Sequence, residues 1–497
     1  MVFTVSRRIV YWLVLLPALA GCPEERKPER TEVLPFSGQE IRIGVPAGRG
    51  FQTVWESPLN EWVAQTGGRY TLTGLNPAGY EGAALFDGVD GQTIAVFPID
   101  EAPSLAAAGK LAPIPELVRG VDENGVQWSD IFTGLASKFA SRKGTPLFVP
   151  LDCPVLVCYY RQDLMSAASL NPPQTWDEYQ QLLERLPAWA PGMVAVEPWG
   201  EAFRSTMFFA RAVSLAQHPG HFSLFFDVET GAPLVDGPGF IRALESACAA
   251  VARMEPAVLG YSPVDCRHAI LSGRAALAIG YESPAFMRPH DADSQTLPAV
   301  TREPGIAIGI VRLPGTREIF NPSRRGWEPA PEKGIQRVTL CGFTGWAVAT
   351  SSASSPRERE ASWHALSKVH GRDGVSGYPA GIIGLCRESQ LANPAACAGY
   401  ELSADETAAW AEAVAQSLRD LRLVAELPVA GRDDFRSALA ESIAPALSGT
   451  QTAEQALQEV SRRWRDIVAR VGAASVRDSY RMNLGLSPIA DPGVRLR

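Results

Sequence analysis

Of the groupings that make or break bonds, this chain of 497 residues carries few. It has no G-x-S-x-G nucleophile elbow, no H-E-x-x-H metal helix and no G-x-x-x-x-G-K-[ST] phosphate loop. Its histidines include one close pair, His218 and His221, in His-Pro-Gly-His. That spacing reads either as a metal pair or as a turn with two solvated imidazoles, and the turn is the simpler reading. Acidic residues number 54, too many to single out two carboxylates for glycoside hydrolysis. An enzymatic reading is therefore left without a motif, and neither a metal nor a cofactor is expected.

The thiols are the remaining reactive groups. Cys153, Cys158, Cys248, Cys266, Cys341, Cys386 and Cys397 follow Cys22, and an odd number leaves one free if the others pair. Cys386 and Cys397 share a loop-like stretch and are the expected disulfide, against the alternative of two free thiols. The other five read as small buried residues.

Cys22 stands apart because of what precedes it. Arg7 and Arg8 are followed by an uncharged run, Ile9 to Ala20, and then Gly21-Cys22. A positive start, a short apolar run and small residues before a cut are the parts of a secretory signal. The run is shorter than the roughly 20 residues a bilayer span needs. Leu19-Ala20-Gly21-Cys22 resembles the lipobox of bacterial lipoproteins. The resemblance implies removal of residues 1–21 and a lipid on Cys22; a plain signal peptide that happens to hold Cys22 is the alternative. Residues 22–39 then form a tether, since Pro23 to Val33 is charged and has almost nothing apolar to bury. The net charge of -8 and the lack of a basic block exclude nucleic acid as an expected partner.

The elements that would position a site follow from periodicity. Ile41, Ile43 and Val45 alternate as in a strand, and Thr93 to Phe97 is a short apolar run suited to a buried parallel strand. Capping-box signatures open helices at Thr175–Glu178, Ser355–Glu358, Ser403–Glu406 and Thr452–Gln455. Helical spacing follows, as in Trp176, Tyr179, Leu182, Leu183 and Leu186, or Leu457, Val460, Trp464 and Ile467. Strands alternating with helices predict an α/β fold.

Within that frame, Thr145 to Leu186 carries a specific phrase. Tyr160-Arg-Gln-Asp-Leu164 and Pro172-Pro-Gln-Thr-Trp-Asp-Glu178 resemble the strand end and helix start of the family 1 extracellular solute-binding proteins of ABC importers, the maltose-binding type. Leu105 to Leu117, Ser272 to Tyr281, Val311 to Gly315, Gly345 to Pro356 and Leu447 to Leu457 resemble further phrases of that family, in order. Arg161 departs from the family's Asn, and residues 379–400 depart as a local insertion.

The resemblance implies a two-lobed periplasmic-binding-protein fold with an interlobe cleft and hinge crossings. Residues 40–150 would begin lobe 1 and 151–340 lobe 2. Residues 341–380 would return to lobe 1, and 381–497 would form a helical region mostly on lobe 2. The crossings would fall in Leu147 to Tyr160 and near Val338 to Ala349. Function would be recognition of a small polar solute, first of all a sugar, by lobe closure, with delivery to the permease subunits of an ABC importer. A pyranose offers C–H faces to rings and hydroxyls to polar groups, so Trp55, Asp100, Asp152, Trp199, Tyr281, Glu282 and Trp346 are the candidate ligand residues. The location would be extracytoplasmic, on a membrane through the lipid. Two other readings compete: a surface polysaccharide hydrolase, and a sensory or scaffold lipoprotein of the same fold.

Overall fold

A computed structural model describes residues 34–76, 85–86, 91–120, 125–283, 302–331, 334–371, 378–399 and 401–489. The signal segment, Cys22 and most of the tether lie outside the described residues.

Two sheets form from the apolar runs. In the first lie β1 (Glu40–Pro46), β2 (Arg69–Leu75), β3 (Ile94–Pro98), β4 (Val149–Asp152) and β10 (Trp346–Thr350), in the order β2-β1-β3-β10-β4. In the second lie β5 (Val157–Arg161), β6 (Val194–Val196), β7 (Ala275–Gly280) and β8 (Ile308–Arg312), in the order β8-β5-β7-β6. Between them β9 (Thr339–Cys341) pairs in parallel with β11 (Leu423–Ala425). In β1 the buried Ile41, Ile43 and Val45 alternate with the half-buried Arg42 and with Gly44. Ile94 to Phe97 is buried on both faces, because β3 sits at the centre of its sheet and helices cover it.

Helices Phe51–Thr66 and Pro356–His370 pack together on the first sheet. The former buries Phe51, Trp55, Leu59 and Trp62 along one stripe and ends at Gly67, whose φ of 71° suits glycine. Helices Glu201–Ala216, Pro238–Val251, Arg432–Leu447 and Ala453–Val471 build the second lobe around Trp464. That indole donates to Phe435 O at 3.0 Å and stacks on Phe226. The capping boxes at Ser355, Ser403 and Thr452 are reciprocal. At Thr175 the box is incomplete: its hydroxyl accepts from Glu178 N, but the Glu178 carboxylate turns to Gln174 N instead. A further box, Ser262 with Asp265, opens the Pro263–Leu271 helix.

Among the described residues the chain passes between the sheets at three places. It leaves β4 at Asp152 and enters β5 at Val157, and it returns between Cys341 and Trp346. The third passage runs through residues 378–399 to the Ala404–Arg419 helix, which packs on β8. Gly384 N donates to Leu151 O and Phe132 N to Cys386 O, which ties this passage to the first lobe. At its far end Gly399 N donates to Glu282 of the second lobe. The Ala473–Asn483 helix also spans both lobes. Tyr480 Oη accepts from Leu224 N and Phe225 N on one side, and Asn483 Nδ2 donates to Pro103 O on the other. Among the described residues no helix is long and apolar enough to cross a membrane.

Candidate solute cleft

Ligands in open α/β sheets collect beyond the carboxyl ends of strands, where loops leave backbone and side chains free to point outward. Here the first lobe presents Arg49 after β1 and Asp100 and Glu101 after β3. The second presents Glu197 to Gly200 after β6 and Tyr281 to Ser283 after β7. The crossings add Asp152 and Trp346, which are register partners between β4 and β10.

Four of the seven candidates lie at this junction with groups turned to it. Trp346 is half-buried, and the Arg49 guanidinium lies 5.9 Å from its ring centroid, a cation–π distance. Tyr281 stacks on Phe203 with centroids 6.1 Å apart and meets the edge of Phe343. Burial pushes its phenol up to about 12. Asp152 is buried and accepts from Ser283 Oγ at 3.1 Å. Burial pushes its carboxyl up to about 7, against the opposing pull of Ser283 and Arg49. Asp100 is half-buried and meets Arg432 across the lobes, Oδ2 to Nη2, at 3.1 Å.

The other three belong to the interior, which corrects the sequence reading. Trp55 is fully buried; its indole donates to Tyr378 Oη at 2.7 Å and packs on the edge of His370. Its place on the inward stripe of a helix, not at a strand end, decides this. Trp199 is fully buried, and its indole donates to Glu197, which the Arg211 guanidinium also grips at 2.7 Å. Glu197 thus holds the ring inward. Glu282 follows β7 as expected but is saturated: Arg267 Nε, Tyr159 Oη and Gly399 N all donate to it. A buried carboxylate with those partners has no lone pair left to offer a solute.

Arg49, Ser283, Arg432, Arg436 and Glu426 escaped the sequence reading. Arg49 had a local signal, since Gly48-Arg-Gly50 directly follows a strand. Arg432 and Glu426 had none; packing brings Arg432 to Asp100, 332 residues away in the chain, and Glu426 to Thr206, 220 residues away. Arg432 also reaches Glu101 at 3.3 Å, and buried Glu426 accepts from Thr206 and pairs with Arg436. Burial raises both the Glu101 and the Glu426 carboxyls.

The expected Cys386–Cys397 bridge is not formed: both are buried free thiols. The Gln390 side chain holds this turn instead, accepting from Cys386 N and donating to Gly384 O and to Cys397 Sγ. The His218–His221 pair forms a turn in which His218 Nε2 meets Glu328 at 2.7 Å and His221 meets Ser323. Among the described residues no group of three or more His, Cys, Asp and Glu is arranged to hold a metal.

A family model described as bacterial extracellular solute-binding protein matches residues 79–366. The chain belongs to this family. Solved structures agree with that membership at the level of fold. The sugar-binding protein MalE from Xanthomonas citri is 17% identical to this solute-binding protein, with a TM-score of 0.62, covering 87% of this chain and 98% of that one. The ABC transporter solute-binding protein from Agrobacterium radiobacter K84, in complex with ribitol, is 18% identical with a TM-score of 0.58, covering 87% and 100%. The one from Agrobacterium vitis S4, with bound D-mannitol, is 16% identical with a TM-score of 0.54, covering 87% and 99%. No curated protein sequence matches. The matched family and these neighbours are all described as binding proteins.

Proposed function

We propose that this solute-binding protein captures a sugar or polyol between its lobes and hands it to an ABC importer. The observation that carries this reading is the meeting of partly exposed rings and hydrogen-bonding groups from both lobes at the strand ends. Trp346 and Tyr281 supply apolar faces for C–H groups, and Asp100, Asp152 and Arg49 supply partners for hydroxyls. The neighbours with ribitol, D-mannitol and a sugar-binding description favour polyhydroxy ligands over other small polar solutes. Closure works by differential contact: a solute touched by both lobes only in the closed form shifts the equilibrium toward it. The importer's membrane subunits then read the closed shape, and a lipid on Cys22 keeps the receptor beside them.

Calorimetry and thermal shift with ribitol, D-mannitol and maltose test the binding. A raised melting temperature without solute turnover is the expected result. Release of reducing ends from a polysaccharide would overturn the reading in favour of a hydrolase. Acylation of Cys22 is tested by mass spectrometry of the mature protein, and an intact Met1 start would sink it.

A further inference from the structure

A cavity of about 60 Å³ lies where both lobes meet the Ala473–Asn483 helix. The first lobe lines it with Lys138 and Arg142, the second with Phe225, and the helix with Tyr480 and Asn483. None of its lining residues belongs to the solute cleft, and none carries a carboxylate. A water takes up ~30 Å³ in the liquid, so the space suits about two waters or one small polyatomic ion. Arg142 is half-buried and has five N–H donors. Nη1 donates to Phe139 O at 2.9 Å and to Ser141 O at 3.1 Å, and Nη2 donates to Asn483 Oδ1. Among the described residues nothing accepts from Nε or from the second hydrogen of Nη2, and no carboxylate pairs with the guanidinium. Burial pulls it down to about 10, and no opposite charge offsets this. The ammonium of the exposed Lys138 also has no partner among the described residues. Tyr480 Oη accepts from Leu224 N and Phe225 N, which leaves its own proton free to donate. The amide hydrogens of Gln217 and Asn483 on the same wall are committed to backbone carbonyls.

We propose that this cavity binds a small oxyanion of the phosphate or sulfate class, held by Arg142 and Lys138 with the Tyr480 hydroxyl as a further donor. The free groups on its wall set the sign. Two cations face the space without a counter-charge, and the unfilled positions of Arg142, Lys138 and Tyr480 are all donors. A guanidinium presents adjacent N–H groups that match two oxygens of an oxyanion, and an ammonium adds a point charge. A cation is repelled there, and a neutral polyol needs acceptors for its hydroxyls as well as donors. Leaving a partly desolvated guanidinium without a counter-ion costs free energy, which an anion in the cavity offsets. The ion would also tie two parts of the fold together. Arg142 and Lys138 belong to the segment that packs through Phe139 on Phe148 of the first lobe, and Tyr480 belongs to the helix that reaches the second. Occupancy should therefore firm the docking of the Ala473–Asn483 helix.

The site needs no solute, so its test does not depend on what the cleft binds. Calorimetry of the full-length protein with sodium phosphate, at an ionic strength held constant with sodium chloride, should show one saturable site, and sodium sulfate should compete for it. Arg142→Gln should weaken phosphate binding by about tenfold or more, the scale of a lost hydrogen bond to a charged group. Lys138→Ala, at an exposed position, should weaken it by about threefold, which decides the matter even if Arg142→Gln does not fold. Amide exchange in the Ala473–Asn483 helix should slow when phosphate is added to wild type, and less so in Lys138→Ala at the same concentration. The absence of a saturable heat, wild-type affinity in folded Arg142→Gln, or wild-type affinity in Lys138→Ala would each overturn the site.

Discussion

Arg432 of the second lobe reaches across the cleft to Asp100 of the first, Nη2 to Oδ2, at 3.1 Å. It also donates to the Asp100 carbonyl, and Glu101 stands 3.3 Å from the same guanidinium. The Arg432 side chain is only 8% exposed, so the pairing is far less screened than a surface ion pair. The pair joins the two lobes across the cleft.

Arg432→Ala should therefore let the lobes spread. The expected loss of closed-state stabilisation is about 1.5–3 kcal/mol, the range for hydrogen bonds to charged groups. Scattering in the absence of solute should show a larger radius than wild type. An unchanged radius would show that the other contacts between the lobes hold them without Arg432.

Trp346→Ala should act on binding. The ring is half-buried at a crossing, so its loss leaves the sheets intact. Affinity for the bound sugar or polyol should fall tenfold or more, about 1.4 kcal/mol. The unliganded melting temperature should hardly move. Calorimetry with the best ligand of the panel checks both.

Trp199→Ala should do the reverse. With the ring fully buried on Glu197, its removal leaves a cavity and should cost roughly 3–5 kcal/mol in chemical denaturation. Affinity per folded molecule should stay near that of wild type.

Glu282→Ala should be as damaging without touching solute. It removes one of two carboxylates on the Arg267 guanidinium, whose side chain is 3% exposed, and leaves only the partly exposed Glu401 opposite it. Breaking a buried pair in this way costs about 3–5 kcal/mol. Denaturation midpoints should drop, and the third passage, tethered through Gly399 and Glu401, should gain amide exchange.

Acid sensitivity has a named source in His370. Burial drives its imidazole down from 6.5 to about 3, with Arg387 adding to the effect. The unfolded chain thus takes a proton near pH 6.5 that the folded one refuses until about 3. Stability from this group is whole above the upper value and is lost steadily below it, at up to about 1.4 kcal/mol per pH unit. His370→Gln should flatten the fall in stability between these two pH values. A parallel fall in both proteins would place the sensitivity elsewhere.

The sequence by itself determined the elements and the family phrase. Ile41, Ile43 and Val45, the run Thr93 to Phe97, and the reciprocal caps at Ser355, Ser403 and Thr452 are local properties: a hydroxyl three residues before a carboxylate or carboxamide, or a period of two. Such signals need no distant partner, so the α/β fold could be read from them, and the order of phrases pointed to two lobes. Which rings face a solute was not local. Trp55, Trp199 and Trp346 are the same residue type, and all three were candidates. Burial of the first was decided by Tyr378 and His370 from a distant segment, and that of the second by Glu197, two residues before it, and the Arg211 that grips Glu197. Glu282 looked available until Arg267, Tyr159 and Gly399 filled its lone pairs. Arg432 carried no local signal, and folding brought it to Asp100. Side-chain periodicity reports which face of an element is buried; only tertiary packing decides which of the remaining polar groups are already spent on one another.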